Sequence, residues 1–242
     1  MRVQLVDPPA YTPPYDRALA GALAAHGAAV ELLTSRALYG DPEPATGFAL
    51  REDFYRRATA GARRASGRRL WRAAEHLPGM WRARHPAADV VHYQWLTAEP
   101  VDAFLLARGV PRVFTAHNVL RRATGRVQEL GAHALARRVD ALIAHTRAGA
   151  DELVTRYDAP RDRVHVIPHG AFDHLTRQRS EAPLPPELAT VEGPVVLSFG
   201  ILRPYKGIDV LIEAFAGIEG AELWIVGRPL MDTAPLHAAA ER

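Results

Sequence analysis

An α/β architecture on a parallel sheet is what this sequence predicts, and three observations carry it. Short apolar runs recur at residues 2–6, 29–34, 90–94, 112–116, 141–145 and 164–168. Between them lie segments with apolar residues at helical period, and loops punctuated by Pro and Gly. Apolar strands that alternate with helices belong in a parallel sheet covered on both faces.

The elements follow in order. A strand at 2–6 leaves into the loop D-P-P-A-Y-T-P-P-Y. Asp16 can cap a helix at 17–26 that Gly27 ends. After the strand at 29–34 comes a loop rich in Pro and Gly, then a basic helical region. Helices are expected near 101–108, 127–138 and 148–157, between the later strands. Residues 173–192 change character around E-A-P-L-P-P-E and read as an extended connector. A fresh strand, helix and strand follow at 195–199, 208–217 and 222–226, with Leu211, Ala214, Phe215 and Ile218 spaced to form the buried face of that helix. The expected domains are therefore 1–172, the connector 173–192, and 193–242. Two strands make a small sheet, so the second domain reads as incomplete.

The composition excludes several classes. No apolar run approaches the ~20 residues that cross a bilayer, and the chain opens on R-V-Q-L-V-D without a targeting core. A cytoplasmic location is the expectation. With no cysteine there is no disulfide framework, thiolate nucleophile or zinc-thiolate site. The loop after the first strand lacks G-x-G-x-x-G, which counts against a nicotinamide dehydrogenase, and prolines there cannot bring backbone N–H groups to a pyrophosphate.

Charge is unevenly placed. Ten arginines fall between Arg51 and Arg84, interleaved with Phe54, Tyr55, Trp71 and Trp81. This region reads first as a helix with a solvated basic face and its aromatics packed on the domain. Contact with an anionic membrane surface, at the inner face, ranks second, and nucleic acid is not expected.

The stretch F-G-I-L-R-P-Y-K-G at 199–207 holds Lys206, the single lysine among 30 Lys and Arg residues. Lysine is a compact, rotatable point charge where arginine is a planar fork, so a site built for one anionic oxygen discriminates between them. A helix starts after Gly207, and its unpaired N–H groups and partial positive charge suit a phosphate. Arg203 and Lys206 add two cations there. The plain alternative is a pair of solvated loop cations.

The order of these motifs resembles a known family. V-I-P-H-G at 166–170, the connector, R-P-Y-K-G with its following helix, and A-E-L-W-I-V-G at 221–227 are together similar to the retaining glycosyltransferases of family 4, which have the two-domain GT-B architecture. The resemblance implies that Arg203, Lys206 and Gly207 receive the diphosphate of a nucleotide-sugar co-substrate, with no metal or other cofactor required. It implies that His117, in V-F-T-A-H-N-V, faces the transferred sugar or an acceptor hydroxyl. Tyr15, Gln94 and Trp95, with His92, are placed to contact the acceptor, and His169 and Gly170 sit where the chain leaves the first domain. The family also carries two glutamates eight positions apart later in the donor domain; no two glutamates here are so spaced. The donor pocket is thus expected to be incomplete. Two alternatives stand beside glycosyl transfer: a catalytically inactive binding or assembly fragment, and a nucleotide-sugar epimerase of GT-B type.

Overall fold

The computed structural model describes residues 1–38, 44–60, 67–119, 125–171 and 183–241. Arg63 and Arg64 of the basic region, and residues 173–182 of the expected connector, lie outside the described residues. The chain divides into two compact units, Met1–Thr176 and Arg177–Arg242.

The first unit is built on a seven-stranded, all-parallel sheet: β1 (Arg2–Asp7), β2 (Ala29–Ser35), β3 (Ala49–Phe54), β4 (Val90–Tyr93), β5 (Arg112–Thr115), β6 (Ala141–Ala144) and β7 (Val164–Val166). Their order is β3-β2-β1-β4-β5-β6-β7. The strands are apolar on both sides because both faces are covered. Val3 and Leu5 of β1 pack with Val30, Leu32 and α1 (Pro13–Ala25), while Val6 points to the opposite core of Leu33, Val91, Tyr93 and Leu142. Progress along the sheet reverses between β1 and β4. Parallel α/β sheets open their ligand crevice at such a point, beyond the carboxyl ends of the strands.

Most expected elements form, with three corrections. The first helix begins at Pro13 with Thr12 as its N-cap, four residues ahead of the expected start, because a proline is preorganised for the first helical turn. Asp16 is consequently buried inside that turn instead of capping it. Second, the basic region opens with a strand, β3, whose Arg51 pairs with Glu31 and Asp53; cross-strand charge pairing outweighs the helical reading there. Its helix is α3 (Arg68–Arg82), after the single turn α2 (Arg56–Thr59). Third, the helix expected at 101–108 shrinks to α4 (Glu99–Asp102) followed by turns. The remaining helices of this unit, α5 (Arg126–Arg138) and α6 (Arg147–Tyr157), cover β5 to β7 as expected. Among the described residues no helix is long and apolar enough to cross a membrane.

The second unit holds α7 (Pro186–Ala189), the parallel pair β8 (Val195–Phe199) and β9 (Glu222–Val226), and two helices, α8 (Ile208–Phe215) and α9 (Ala234–Ala240). Its core is Leu202, Ile208, Ile212 and Leu236, with Leu223 and Ile225 packed against them. The buried stripe of α8 is therefore Ile208–Ile212 at i, i+4, not the expected set: Leu211 and Phe215 are half-buried, Ala214 is exposed, and Ile218 lies beyond the helix end. On the other side of the sheet Leu197, Phe199 and Val226 are exposed. The loops leaving the two strands touch at Gly227, where a Cβ would stand 1.7 Å from the Gly200 carbonyl oxygen. Only glycine permits that approach.

Candidate functional site

In the first unit the carboxyl ends of β1 and β4 to β7 gather one aromatic and imidazole cluster. Trp95, just past β4, stacks on His117, just past β5, with centroids 4.8 Å apart and planes 11° from parallel. Tyr11, in the loop after β1, packs on the other end of Trp95 at 4.7 Å. Tyr15, on the first turn of α1, places its ring against His117 at 4.9 Å and His169 at 4.7 Å. His145, just past β6, completes the set at 5.0 Å from His117 and 5.1 Å from His169. Trp95, His117 and His145 each follow directly on the last backbone hydrogen bond of their strand.

Hydrogen bonds order this cluster. His145 Nδ1 donates to the Ile167 carbonyl at 2.9 Å, and its Nε2 meets His117 Nδ1 at 3.1 Å. His117 Nε2 lies 3.1 Å from Gln94 Oε1, and Gln94 Nε2 is buried without a partner. A carbonyl only accepts, so two arrangements satisfy the chain. With His145 neutral, His117 carries its hydrogen on Nδ1 and Gln94 turns its NH2 toward Nε2. With His145 protonated, His117 carries it on Nε2 and donates to the Gln94 oxygen. The nitrogen on which His117 carries its hydrogen is therefore set by this chain of hydrogen bonds.

Burial sets the charge of His117 itself. Desolvation, reinforced by the three nearby imidazoles of His145, His169 and His92, lowers its pKa to about 3. At neutral pH it is an uncharged hydrogen-bonding group and not a cation. Burial alone lowers His92 to about 4, and its Nε2 binds the Thr115 hydroxyl at 2.8 Å. Both groups are neutral when folded and near 6.5 when unfolded. Their stabilising contribution is present above pH 6.5 and lost as pH falls through the folded values. His92→Gln, which cannot titrate, should make the thermal midpoint fall less steeply than in the wild type between pH 6.5 and 4, measured by circular dichroism.

The expected residues sort themselves by this geometry. Tyr15, Trp95, His117 and His169 come together; His169 is exposed, with its Nδ1 against the Gly170 carbonyl at 2.7 Å. Gln94 has no exposed surface and serves His117 from below. His92 is buried beneath the cluster, so it supports the strand and does not face the acceptor side. Gly170 has open space where a Cβ would stand, so sterics do not require glycine there. His145 and Tyr11 were missed by sequence reasoning. His145 is the last residue of the apolar run 141–145, inside the expected strand, whereas His117 falls just past its own run.

In the second unit Arg203 caps, and Lys206 ends, a 3-10 turn, Pro204–Lys206, directly ahead of α8. Gly207 adopts φ +65°, left-handed backbone that favours glycine, and is the N-cap of α8. Both cations are exposed, and among the described residues neither forms an ion pair. Unpaired cations beside a helix start suit an anionic ligand. Also among the described residues, no group of three or more His, Asp or Glu is arranged to hold a metal.

Known proteins resemble this chain in sequence and in fold. Residues 17–171 match the family model of Glycosyltransferase Family 4. A D-inositol 3-phosphate glycosyltransferase of Nocardia farcinica is 32% identical over 161 residues, which cover 61% of this chain and 34% of that protein. The same-named protein of Jonesia denitrificans is 30% identical over 232 residues, 82% of this chain and 51% of the relative. The chain thus spans a third to a half of the length of these curated relatives. Among solved structures, Anabaena Alr3699/HepE in complex with UDP and glucose matches with a TM-score of 0.66 at 17% identity, covering 100% of this chain and 66% of that one. A putative UDP-N-acetylglucosamine 2-epimerase from Listeria monocytogenes matches with a TM-score of 0.57 at 12% identity, covering 99% and 65%. These likenesses show the fold, which is α/β and GT-B-like.

Proposed function

The chain belongs to glycosyltransferase family 4, and from that premise we propose that it takes part in transfer of a sugar from a nucleotide-sugar donor to an acceptor hydroxyl, with retention of configuration. The observation that carries this reading is the solitary lysine just ahead of α8, which like Arg203 forms no ion pair among the described residues. A departing nucleoside diphosphate gains negative charge as the sugar bond breaks. Two fixed cations and the first N–H groups of α8 oppose that charge where it develops. In the first unit, neutral His117 offers a hydrogen bond to a sugar or acceptor hydroxyl without the repulsion or acidity of an imidazolium. Trp95 and Tyr15 provide the flat apolar surfaces that sugar rings use. UDP and UDP-glucose occupy the Anabaena fold relative, so a uridine nucleotide-sugar is the donor to try first, with D-inositol 3-phosphate, named in the curated relatives, as first acceptor.

Incubating the chain with UDP-glucose and this acceptor, and reading products by proton NMR, tests the proposal. An α-linked product from the α-linked donor is expected. A β-linked product would contradict retention. An epimerised donor formed without acceptor would favour the second reading, which the fold likeness to the Listeria epimerase motivates. Binding without any turnover would favour a binding fragment.

We also propose peripheral contact with an anionic membrane through residues 51–84. Of the four aromatics expected to pack on the domain, Phe54 and Tyr55 do so, whereas Trp71 is 47% and Trp81 59% exposed. Along the outer side of α3, Leu70, Leu77 and Trp81 recur at i, i+7 and i+11, with Arg69 and Arg82 exposed beside them. An apolar stripe between arginines is the form of a helix lying in a lipid interface. The chain should sediment with phosphatidylserine vesicles and much less with phosphatidylcholine alone. Replacing Leu77 and Trp81 together by Ala should cut binding by at least about tenfold, since each full side-chain burial is worth about 1.5–3 kcal/mol. Equal sedimentation on both lipids would refute this.

A further inference from the structure

Two carboxyl groups the proposed chemistry does not use are buried beneath the cluster. Asp7, the last residue of β1, and Asp16, on the first turn of α1, are 0% and 1% exposed. Asp7 Oδ2 accepts the Tyr11 N–H at 2.8 Å, and the Thr12 N–H also binds this carboxylate. The Oδ1 atoms of both residues are buried without a hydrogen-bond partner among the described residues. The two carboxyl groups are close enough that each shifts the other's titration. Two neighbouring buried carboxylates repel, and a hydrogen on one of them both removes that repulsion and gives the unpartnered oxygens a donor.

We propose that Asp7 and Asp16 hold a single proton between them, and that this proton positions Trp95 against His117. The connection is short and continuous. Asp7 fixes the backbone of Tyr11 and Thr12, whose N–H groups it accepts. The Thr12 side chain bonds Asp16 and accepts the Trp95 Nε1–H at 2.8 Å. Trp95 is in turn the plate that His117 stacks on, with Tyr11 packed against its far side. The proline-rich loop, which lacks glycine, owes its shape to the acid pair.

Burial favours a proton on Asp16, whose pKa is raised well above the ordinary range, first by desolvation and then by the charge on Asp7. Burial raises Asp7 too, but neighbouring Asp16, the loop N–H groups of Tyr11 and Thr12, and Arg72 of α3 oppose it. The other charged or titratable groups nearby are Tyr15 on the same helix, and Arg17 and Glu52, which line the small hollow beside Asp16. A raised carboxyl contributes its stabilisation below the ordinary carboxylate range and loses it as pH climbs through the raised value. Above that point the pair is doubly charged and repels.

Asp7 and Asp16 are positioning residues, and their importance to transfer rests on the reading of His117 as substrate-facing. The test needs no substrate, so it stands or falls apart from that reading. In 15N-labelled protein the Trp95 indole N–H resonance, assigned through Trp95→Phe, is followed across pH. In the wild type it moves as pH rises and the shared proton leaves. In Asp16→Asn it holds the low-pH wild-type position throughout, because the amide N–H replaces that proton. In Asp16→Leu it is displaced at every pH. Coincident pH profiles for wild type and Asp16→Asn would overturn the proposal, and so would an unmoved resonance in a folded Asp16→Leu. Should the leucine variant not fold, the comparison of wild type with asparagine decides alone.

Discussion

Lys206→Ala is expected to weaken binding of a uridine nucleotide-sugar by about 10- to 100-fold, the range spanned by loss of a hydrogen bond to a charged group. Lys206 has no competing partner among the described residues, so the unliganded protein gains nothing when it is removed. Its loss should fall on binding and leave the fold intact, because the side chain is exposed and α8 is anchored by Ile208 and Ile212. Lys206→Arg should restore only part of the affinity. A guanidinium keeps the charge but brings a planar fork to a place where a rotatable ammonium meets oxygens from several directions. Arg203→Ala should act in the same sense. Affinities measured by calorimetry check the series, and equal values for Lys, Arg and Ala at 206 would refute the diphosphate role.

The second large effect is expected at His117. His117→Ala should lower acceptor-dependent transfer by about 10²–10³-fold, the magnitude of losing one preorganised group at a reacting centre. The direction with pH follows from its environment. Its pKa is held near 3 by burial and by three neighbouring imidazoles, so it stays neutral from mild acid to alkaline pH. His117→Gln, neutral and able to hydrogen-bond, should therefore recover part of the activity without a new pH dependence. If His117 worked as a cation or general acid, glutamine would be as inactive as alanine. Steady-state rates of the three proteins at pH 6 and 8 separate the two.

Much of the fold was legible because it depends on local pattern. Strand β6 is apolar on all four residues and β1 on Val3, Leu5 and Val6, and both faces of their sheet are covered. What the sequence hid was set by contacts between distant residues. The strand β3 is too charged to read as one, and forms because Arg51 finds Glu31 on the neighbouring strand, 20 positions earlier. Trp71 and Trp81 were expected to pack inward, since aromatics usually do, but α3 turns His76 and Met80 to the core and leaves the tryptophans out. At the candidate site, His117 and Trp95 were singled out from their position at strand ends, and Tyr15 from the loop and helix start that follow the first strand. His145 escaped because it lies inside the apolar run 141–145, and only the sheet order brings the end of β6 beside that of β5. Asp16 was visible only as a helix cap, and its pairing with Asp7 needed the turn that Pro13 begins.

The central claim is that this chain binds a nucleotide-sugar through the start of α8. The most direct measurement is a calorimetric titration of the 242-residue protein, and of its Lys206→Ala variant, with UDP-glucose and then with other nucleotide-sugars. Micromolar binding by the wild type that falls at least tenfold in the variant is the predicted result. Absence of binding by any nucleotide-sugar at millimolar concentration, or equal binding by the two proteins, would contradict it.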